Sequence, residues 1–417
     1  MSSAAHFFAA NCRQEWAAMR SADARLLASL CGVVLVTASA GCGGGSHSSS
    51  TGPGSNTQPI TVNSGPGNNY VNGVFTTVKV CAPGSSNCQS ISGVLVDTGS
   101  FGLRVLSSAL GALNSALPQQ KNANGEPAVE CAQFVDSVLW GPVKSADITM
   151  AGEKASGVPI QVIDSSVAPV PAGCKAIGPA EQDLAGLGAN GILGIGFFVS
   201  DCGGACATAG SGNPGFYYSC GSSGCTVSAQ SLSQQVQNPV AHFSRDSNGV
   251  LVQLPAASAS APSVSGSLIF GIGTQSNNAL GSAQIFGPDN NGNLKTVFKG
   301  TTYEGFLDSG SNAYFFLNAS TTGMPTCPSP ENGFYCPSSP VALTATNNAG
   351  SGPAATSTVN FTIDNANQLF SSSADFVFPT LGGPNPDIFD WGLPFFFGRN
   401  VFVAFEAPSG SGPYWAY

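Results

Sequence analysis

Two short stretches of this chain of 417 residues carry the same order of groups able to do acid–base chemistry. Val94-Leu95-Val96-Asp97-Thr98-Gly99-Ser100 recurs as Gly305-Phe306-Leu307-Asp308-Ser309-Gly310-Ser311. In each, an apolar run delivers an Asp, a hydroxyl residue, a Gly and a Ser. Hydrolysis of a peptide without a metal or a covalent nucleophile needs a base to activate water and an acid to protonate the carbonyl or the departing nitrogen. Two carboxyls about 3 Å apart cannot both ionise, so one keeps a proton and serves as acid beside the other as base. Such a pair titrates jointly. Gly99 and Gly310 allow backbone N–H groups to approach the carboxylates, and Ser100 and Ser311 can reach their outer oxygens. Asp-Ser-Gly is also a good turn sequence, but turns do not account for a duplication in register.

Strands must hold these loops. Each Asp motif is followed, at nearly the same distance along the chain, by a second apolar-Gly segment: Gly191–Gly196 (GILGIG) in the first half and Phe395–Asn400 (FFFGRN) in the second. Two similar lobes, each presenting one Asp at the end of a buried strand, explain the repeat most simply. Elsewhere short β-type runs are broken by Gly, Pro and Asn, among them Val74–Val80, Gly93–Val96, Val158–Ile163, Gly249–Leu254, Ser267–Phe270, Thr358–Ile363 and Phe395–Phe405. That spacing predicts an all-β protein of sandwiches or barrels. Helical spacing is confined to Leu106, Leu110, Leu113 and Leu117, with a weaker candidate at Ser231–His242.

Other chemistries fit poorly. Beyond His6, the chain offers only His47 and His242, so a Ser-His-Asp or Cys-His enzyme must rely on His242 alone. Zinc hydrolysis lacks ligands for the same reason, and no metal or cofactor is expected. Gly191–Gly196 is not a phosphate loop, since no Lys follows and no helix opens there. A glycosidase also needs just two carboxyls, but it leaves the repeat unexplained. Charged residues make up 8% of the chain, the formal net charge is −9, and hydrophobic residues reach 42%. The deficit of basic groups argues against a nucleic-acid partner, and the apolar content against disorder.

At the N-terminus, Arg20 and Arg25 precede the apolar run Leu26–Ala40 and then Gly41-Cys42. This reads as a secretory signal over residues 1–41, too short to span a bilayer, with Met19 a better start for it than Met1. Small residues before a Cys resemble the lipobox of bacterial lipoproteins, which makes Cys42 a lipidation site; Ser39 departs from that pattern, and plain secretion is the alternative. Residues 42–68, rich in Gly, Ser, Pro and Asn, read as a flexible tether. The first lobe then spans 69–274 and the second 275–417. Of 13 cysteines, Cys12 and Cys31 leave with the signal. An oxidising compartment predicts disulfides among the ten that remain beside Cys42. Cys81 pairs with Cys88, Cys327 with Cys336, Cys131 with Cys174, and Cys202, Cys206, Cys220 and Cys225 pair among themselves. A zinc site in that last cluster is the minor alternative.

The stretches VDTGSFGLRV (96–105), NGILGIG (190–196), HFSRDSNG (242–249), GSLIFGIG (266–273), LDSGSNAYFF (307–316) and FFFGRNVFVAFE (395–406) resemble the pepsin-like aspartic peptidases, over most of the chain from Val74 to Glu406. The resemblance implies an all-β, bilobal fold of two pseudo-symmetric, barrel-like lobes with a cleft between them. It implies Asp97 and Asp308 as the catalytic pair, and Thr98 and Ser309 as hydroxyls bonding across to the opposite loop. Two departures stand out. The region of the family's flap, Cys131–Trp140, has no Tyr, leaving Phe134 or Trp140 as its aromatic, and Arg104 stands where an aromatic usually follows the first motif. Residues 201–226 look like an insertion. The expected function is that of an exported aspartic endopeptidase, monomeric, acting on an extended peptide or protein and touching a membrane only through a lipid anchor. The alternatives are a pepsin-fold peptide- or protein-binding protein with little turnover, and an adhesin-like module using the Cys-rich loop.

Overall fold

The computed structural model describes residues 56–122, 124–221, 224–408 and 410–417. The signal segment and Cys42 lie outside them. No helix among the described residues exceeds four residues, and none is long and apolar enough to cross a membrane.

The strands of the first part are β1 (Thr57–Asn63), β2 (Gly73–Cys81), β3 (Cys88–Asp97), β4 (Phe101–Leu106), β5 (Ala128–Gln133), β6 (Val138–Met150), β7 (Glu153–Ile163), β8 (Gly191–Ile195), β9 (Tyr217–Gly221), β10 (Gly224–Val227), β11 (Gly249–Gln253) and β12 (Val264–Phe270). There follow β13 (Ile285–Phe286), β14 (Leu294–Phe298), β15 (Thr301–Leu307), β16 (Tyr314–Leu317), β17 (Val341–Asn348), β18 (Thr356–Ile363), β19 (Gly382–Gly383), β20 (Asn385–Trp391), β21 (Asn400–Ala404) and β22 (Tyr414–Ala416). The order β2-β3-β8-β4-β7-β6 closes on itself, because β6 pairs with β2 as well as with β7. Closure removes the exposed edges of this first lobe. The second lobe is a seven-stranded sheet ordered β18-β17-β14-β15-β20-β16-β19. Between them, β1, β12, β11, β21, β22 and β13 continue from β2 as a platform built from both halves of the chain. A division at residue 274 therefore does not separate the sheets.

Local sequence explains the parts that matter. All five residues of β8 are buried, as expected of an apolar run covered on both faces. It runs parallel to β3, with Asp97 opposite Gly194, and antiparallel to β4. The outer hairpin β17–β18 instead alternates, burying Ala345, Val359, Phe361 and Ile363 while Thr344 and Asn360 hydrogen-bond at 2.8 Å on the exposed face. Thr and Asn thus do at the surface what charges do elsewhere.

Three expectations are corrected. Thr57–Asn63, assigned by composition to the tether, is a strand pairing with β12 and β2, because Ile60 and Val62 alternate inward into the core. Ser231–His242 forms only two 3-10 segments, Leu232–Gln234 and Pro239–His242, since Pro239 lacks the N–H that a continuous helix needs. The segment crossing beneath the second Asp motif is β20 with Gly392, not residues 395–400. β20 runs parallel to β15, with Leu307 opposite Trp391, just as β8 runs beside β3. A Cβ on Gly392 would lie 2.1 Å from the Ala313 carbonyl oxygen, and one on Gly194 2.6 Å from the Phe101 nitrogen, so both crossings require glycine. Leu393–Phe396, with Pro394, is a 3-10 turn, and Asn400–Ala404 joins the platform against β11.

Five disulfides form. Cys81–Cys88 closes the β2–β3 hairpin, Cys131–Cys174 ties β5 to the turn at Ala172–Lys175, and Cys327–Cys336 staples a second-lobe loop. The four-cysteine cluster resolves into Cys202–Cys206 and Cys220–Cys225.

Candidate active site

The two Asp loops meet where the lobes touch, and each is held by the other. The Thr98 hydroxyl donates to the Leu307 carbonyl at 3.1 Å and accepts from the Ser309 N–H at 2.9 Å. The Ser309 hydroxyl in turn donates to the Val96 carbonyl at 2.8 Å and accepts from the Thr98 N–H at 3.1 Å. These four bonds fix the loops in a two-fold arrangement, in the geometry needed to hold two carboxyls together.

Both carboxyls are fully buried. Within its own loop, Asp97 accepts from the Gly99 N–H at 2.7 Å through Oδ1 and from the Ser100 hydroxyl through Oδ2. Asp308 repeats the pattern with the Gly310 N–H at 2.8 Å and the Ser311 hydroxyl at 2.7 Å. A Cβ on Gly99 would fall 2.6 Å from Asp308 Cγ, so only glycine admits the opposite carboxyl. Burial first, then the charge of Asp97 and a hydrogen bond with it, push Asp308 well above the usual carboxylate range. The pair can therefore share one proton, which is the condition for joint acid–base work.

A tyrosine that sequence reasoning missed lies within electrostatic reach of this pair. Tyr70, in the connection from β1 to β2, is buried, and its hydroxyl has no hydrogen-bond partner among the described residues. Burial and the charges of Asp97, Glu181, Asp308 and Asp136 push its phenol far above the ordinary value. Gly73 and Gly188 make room for the ring, since a Cβ on either would lie within 2.7 Å of it. The ring stacks edge-on against Phe75 at 5.3 Å and lines a cavity of about 70 Å³ with Leu187, Gly188, Asn312 and Phe334. The chain signal was faint: a lone Tyr between Asn and Val.

The two aromatics of the Cys131–Trp140 hairpin are placed differently. Phe134 sits at the tip, packed in the main core. Trp140 lies in a satellite cluster with Cys131, Cys174 and Tyr218, its indole N–H donating to the Ala168 carbonyl at 2.9 Å. Arg104 is fully buried and paired with Glu130 at 2.6 Å and Asp201 at 2.9 Å. The Tyr217 hydroxyl donates to Asp201 at 2.5 Å and accepts from the Val236 N–H. The insertion 201–226 is thus rooted in the core by Asp201 and Tyr217, and its β9 extends the hairpin sheet beside β5.

These buried acids predict an acid-shifted stability. Burial chiefly holds Asp201, Asp308 and Asp390 well above the ordinary range. A group raised on folding keeps a proton that the unfolded chain releases above about pH 4. Its contribution is complete below that pH and is lost as pH rises through the folded value. Asp147 and Asp289 are lowered, against their burial, by hydrogen bonds from Lys154 and Lys295, and their contribution is lost on going below about pH 4. Calorimetry is expected to find the melting temperature highest near pH 4 to 5, roughly at the unfolded carboxylate values, and falling toward neutrality. A midpoint that climbs from pH 5 to 7 contradicts this.

A family model described as "Protein of unknown function (DUF3443)" matches residues 52–417. No curated protein matches the sequence. Among solved structures, the "Crystal structure of aspartic proteinase from Irpex lacteus" is similar with a TM-score of 0.52 and 14% identity, over 86% of this chain and 96% of that one. At that identity the likeness is one of fold: all-β, bilobal and pepsin-like.

Proposed function

The chain belongs to the family described as protein of unknown function (DUF3443), and we propose that it is an exported aspartic endopeptidase whose Asp97 and Asp308 hold the attacking water. The observation that carries this reading is the two buried carboxyls brought to one point by the reciprocal Thr98 and Ser309 bonds, with the Asp308 carboxyl packed against Gly99 of the opposite loop. In the proposed reaction the ionised carboxylate takes a proton from water as the oxygen attacks the peptide carbonyl. The protonated carboxyl gives its proton to the carbonyl oxygen, and a tetrahedral diol forms. Transfer of a proton to the nitrogen then lets the C–N bond break.

Tyr70 is suited to donate to the carbonyl oxygen as charge develops there, since its hydroxyl has no partner among the described residues. Tyr70→Phe is expected to lower kcat about 100-fold, the usual effect of losing one such donor, with KM and melting temperature nearly unchanged. Steady-state kinetics showing an unchanged kcat removes Tyr70 from the reaction. An extended peptide is the natural substrate, because β-lined grooves pair with backbone. Five disulfides favour an oxidising compartment. Lipid attachment at Cys42 and a monomeric state complete the proposal.

A peptide in which one carbonyl carbon is replaced by a tetrahedral, hydroxyl-bearing carbon tests the reading. A peptidase binds it at least about 100-fold tighter than the parent peptide. Equal affinity in calorimetry points instead to a pepsin-fold binding protein.

A further inference from the structure

Tyr70 stands on a short connection that both lobes hold. On the first-lobe side its own N–H donates to the Ser64 carbonyl at 2.9 Å. Beyond it, Val71 packs against a second-lobe cluster that includes Ala313, Phe315 and Phe378, and Asn72 makes four hydrogen bonds across the boundary. The Asn72 N–H donates to the Phe376 carbonyl at 2.8 Å. Its side-chain Nδ2 donates to the Asn312 carbonyl at 2.8 Å and to the Phe378 carbonyl at 2.9 Å, while Oδ1 accepts from the Phe378 N–H at 2.7 Å. Asn72 is fully buried. Its backbone is left-handed, with φ +49°, a conformation that asparagine adopts more readily than most side chains. Gly73 follows because a Cβ there would lie 2.5 Å from the Tyr70 ring.

Building on the peptidase reading of Tyr70, we infer that Asn72 is a positioning residue: its side chain latches the Tyr70 connection to the second Asp loop and so fixes where the Tyr70 hydroxyl stands relative to the carboxyl pair. Asn312, whose carbonyl the latch grips, directly follows Ser311, the residue whose hydroxyl donates to Asp308 at 2.7 Å. The same Asn312 lines the cavity beside Tyr70. The connection belongs to the first lobe, yet it takes its position from the loop that carries Asp308. Without the side chain, the Asn312 carbonyl and the Phe378 N–H lose this buried partner, which is costly. The connection then settles differently, and the phenol moves with it. A misplacement of about 1 Å is enough to cost about a hundredfold in rate.

Asn72→Gly keeps the left-handed backbone free of strain and removes the three side-chain bonds. It is expected to lower kcat at least about tenfold, with KM within about twofold. Made in the Tyr70→Phe protein, the same change should cost less than about twofold more, because a residue that acts through Tyr70 has nothing left to position. A loss that repeats in full in the Tyr70→Phe background, or no loss at all, assigns Asn72 to stability alone and overturns the inference. A second readout needs no turnover. NMR of protein labelled at tyrosine ring carbons, with signals assigned from Tyr70→Phe, gives the flip rate of the Tyr70 ring, which close packing restrains. The flip should be several times faster in Asn72→Gly; a wild-type rate overturns the inference. Where Asn72→Gly fails to fold, Asn72→Asp keeps the acceptor for the Phe378 N–H, loses the Nδ2 donations, and carries the same expectations. A protein that cleaves nothing, yet whose Tyr70 ring is freed when the latch is removed, defeats the peptidase reading and leaves the latch on Tyr70 standing.

Discussion

Asn at either Asp97 or Asp308 is expected to lower peptide cleavage by at least about a thousandfold, because each variant removes one half of a joint acid–base step. The fold should persist. The Asn oxygen can still accept from the Gly99 or Gly310 N–H, and its amide NH2 can donate to the neighbouring Ser hydroxyl oxygen, where the carboxylates accept from that hydroxyl. Asp308→Asn should also raise the melting temperature at pH 7, where Asp308 is held above its ordinary range by burial and by Asp97 and loses stabilisation as it ionises. Lost activity with unchanged or improved stability, read by kinetics and calorimetry on one sample, separates chemistry from unfolding. Retained cleavage in either variant contradicts the assignment of that carboxyl.

Arg104→Leu is expected to destabilise the protein by about 3–5 kcal/mol at pH 7. The guanidinium reaches Glu130 on β5 and Asp201 at the head of the insertion, all three side chains being shut off from water. Its charge is opposed by burial and upheld by Glu130 and then Asp201. Removing it leaves two carboxyls in repulsive contact without a counter-ion. At roughly 2–4 °C per kcal/mol for a chain of this size, the melting temperature should fall by about 10 °C. The loss should shrink at pH 4, where the abandoned carboxyls take up protons. Combining the change with Glu130→Met and Asp201→Leu should restore much of the stability, since packed apolar groups often replace buried ion networks without loss. An Arg104→Leu protein as stable as wild type at neutral pH refutes the structural role given to this network.

The position of Arg104 in the family-like motif reads, from sequence alone, as a defect in the site. In the fold it ties β4, the strand after the first Asp loop, to the hairpin and the insertion. That role was illegible because Glu130 and Asp201 lie 26 and 97 residues away. The Asp loops were legible because their chemistry is local and written twice. β8 was legible because its apolar run is unbroken, and β20 was not because Asp390 interrupts the run and Gly392 is followed by Pro394. β1 hid behind its Gly- and Asn-rich flanks, with only Ile60 and Val62 to mark an inward face. The disulfides between near neighbours followed from spacing. Tyr70 had no local signature at all, since its meaning comes from carboxyls that the fold brings within electrostatic reach of it.

Cleavage itself is the most direct test of the central claim. Soluble protein beginning at Gly43, folded and with its disulfides intact, is mixed with a diverse peptide library, and products are scored by mass spectrometry from about pH 3 to 7, the range over which a carboxyl pair can share one proton. Hydrolysis within extended peptides is expected, strongest at acid pH, fading as Asp308 gives up its proton, and absent from Asp308→Asn. No cleavage at any pH, or equal cleavage by the variant, contradicts it.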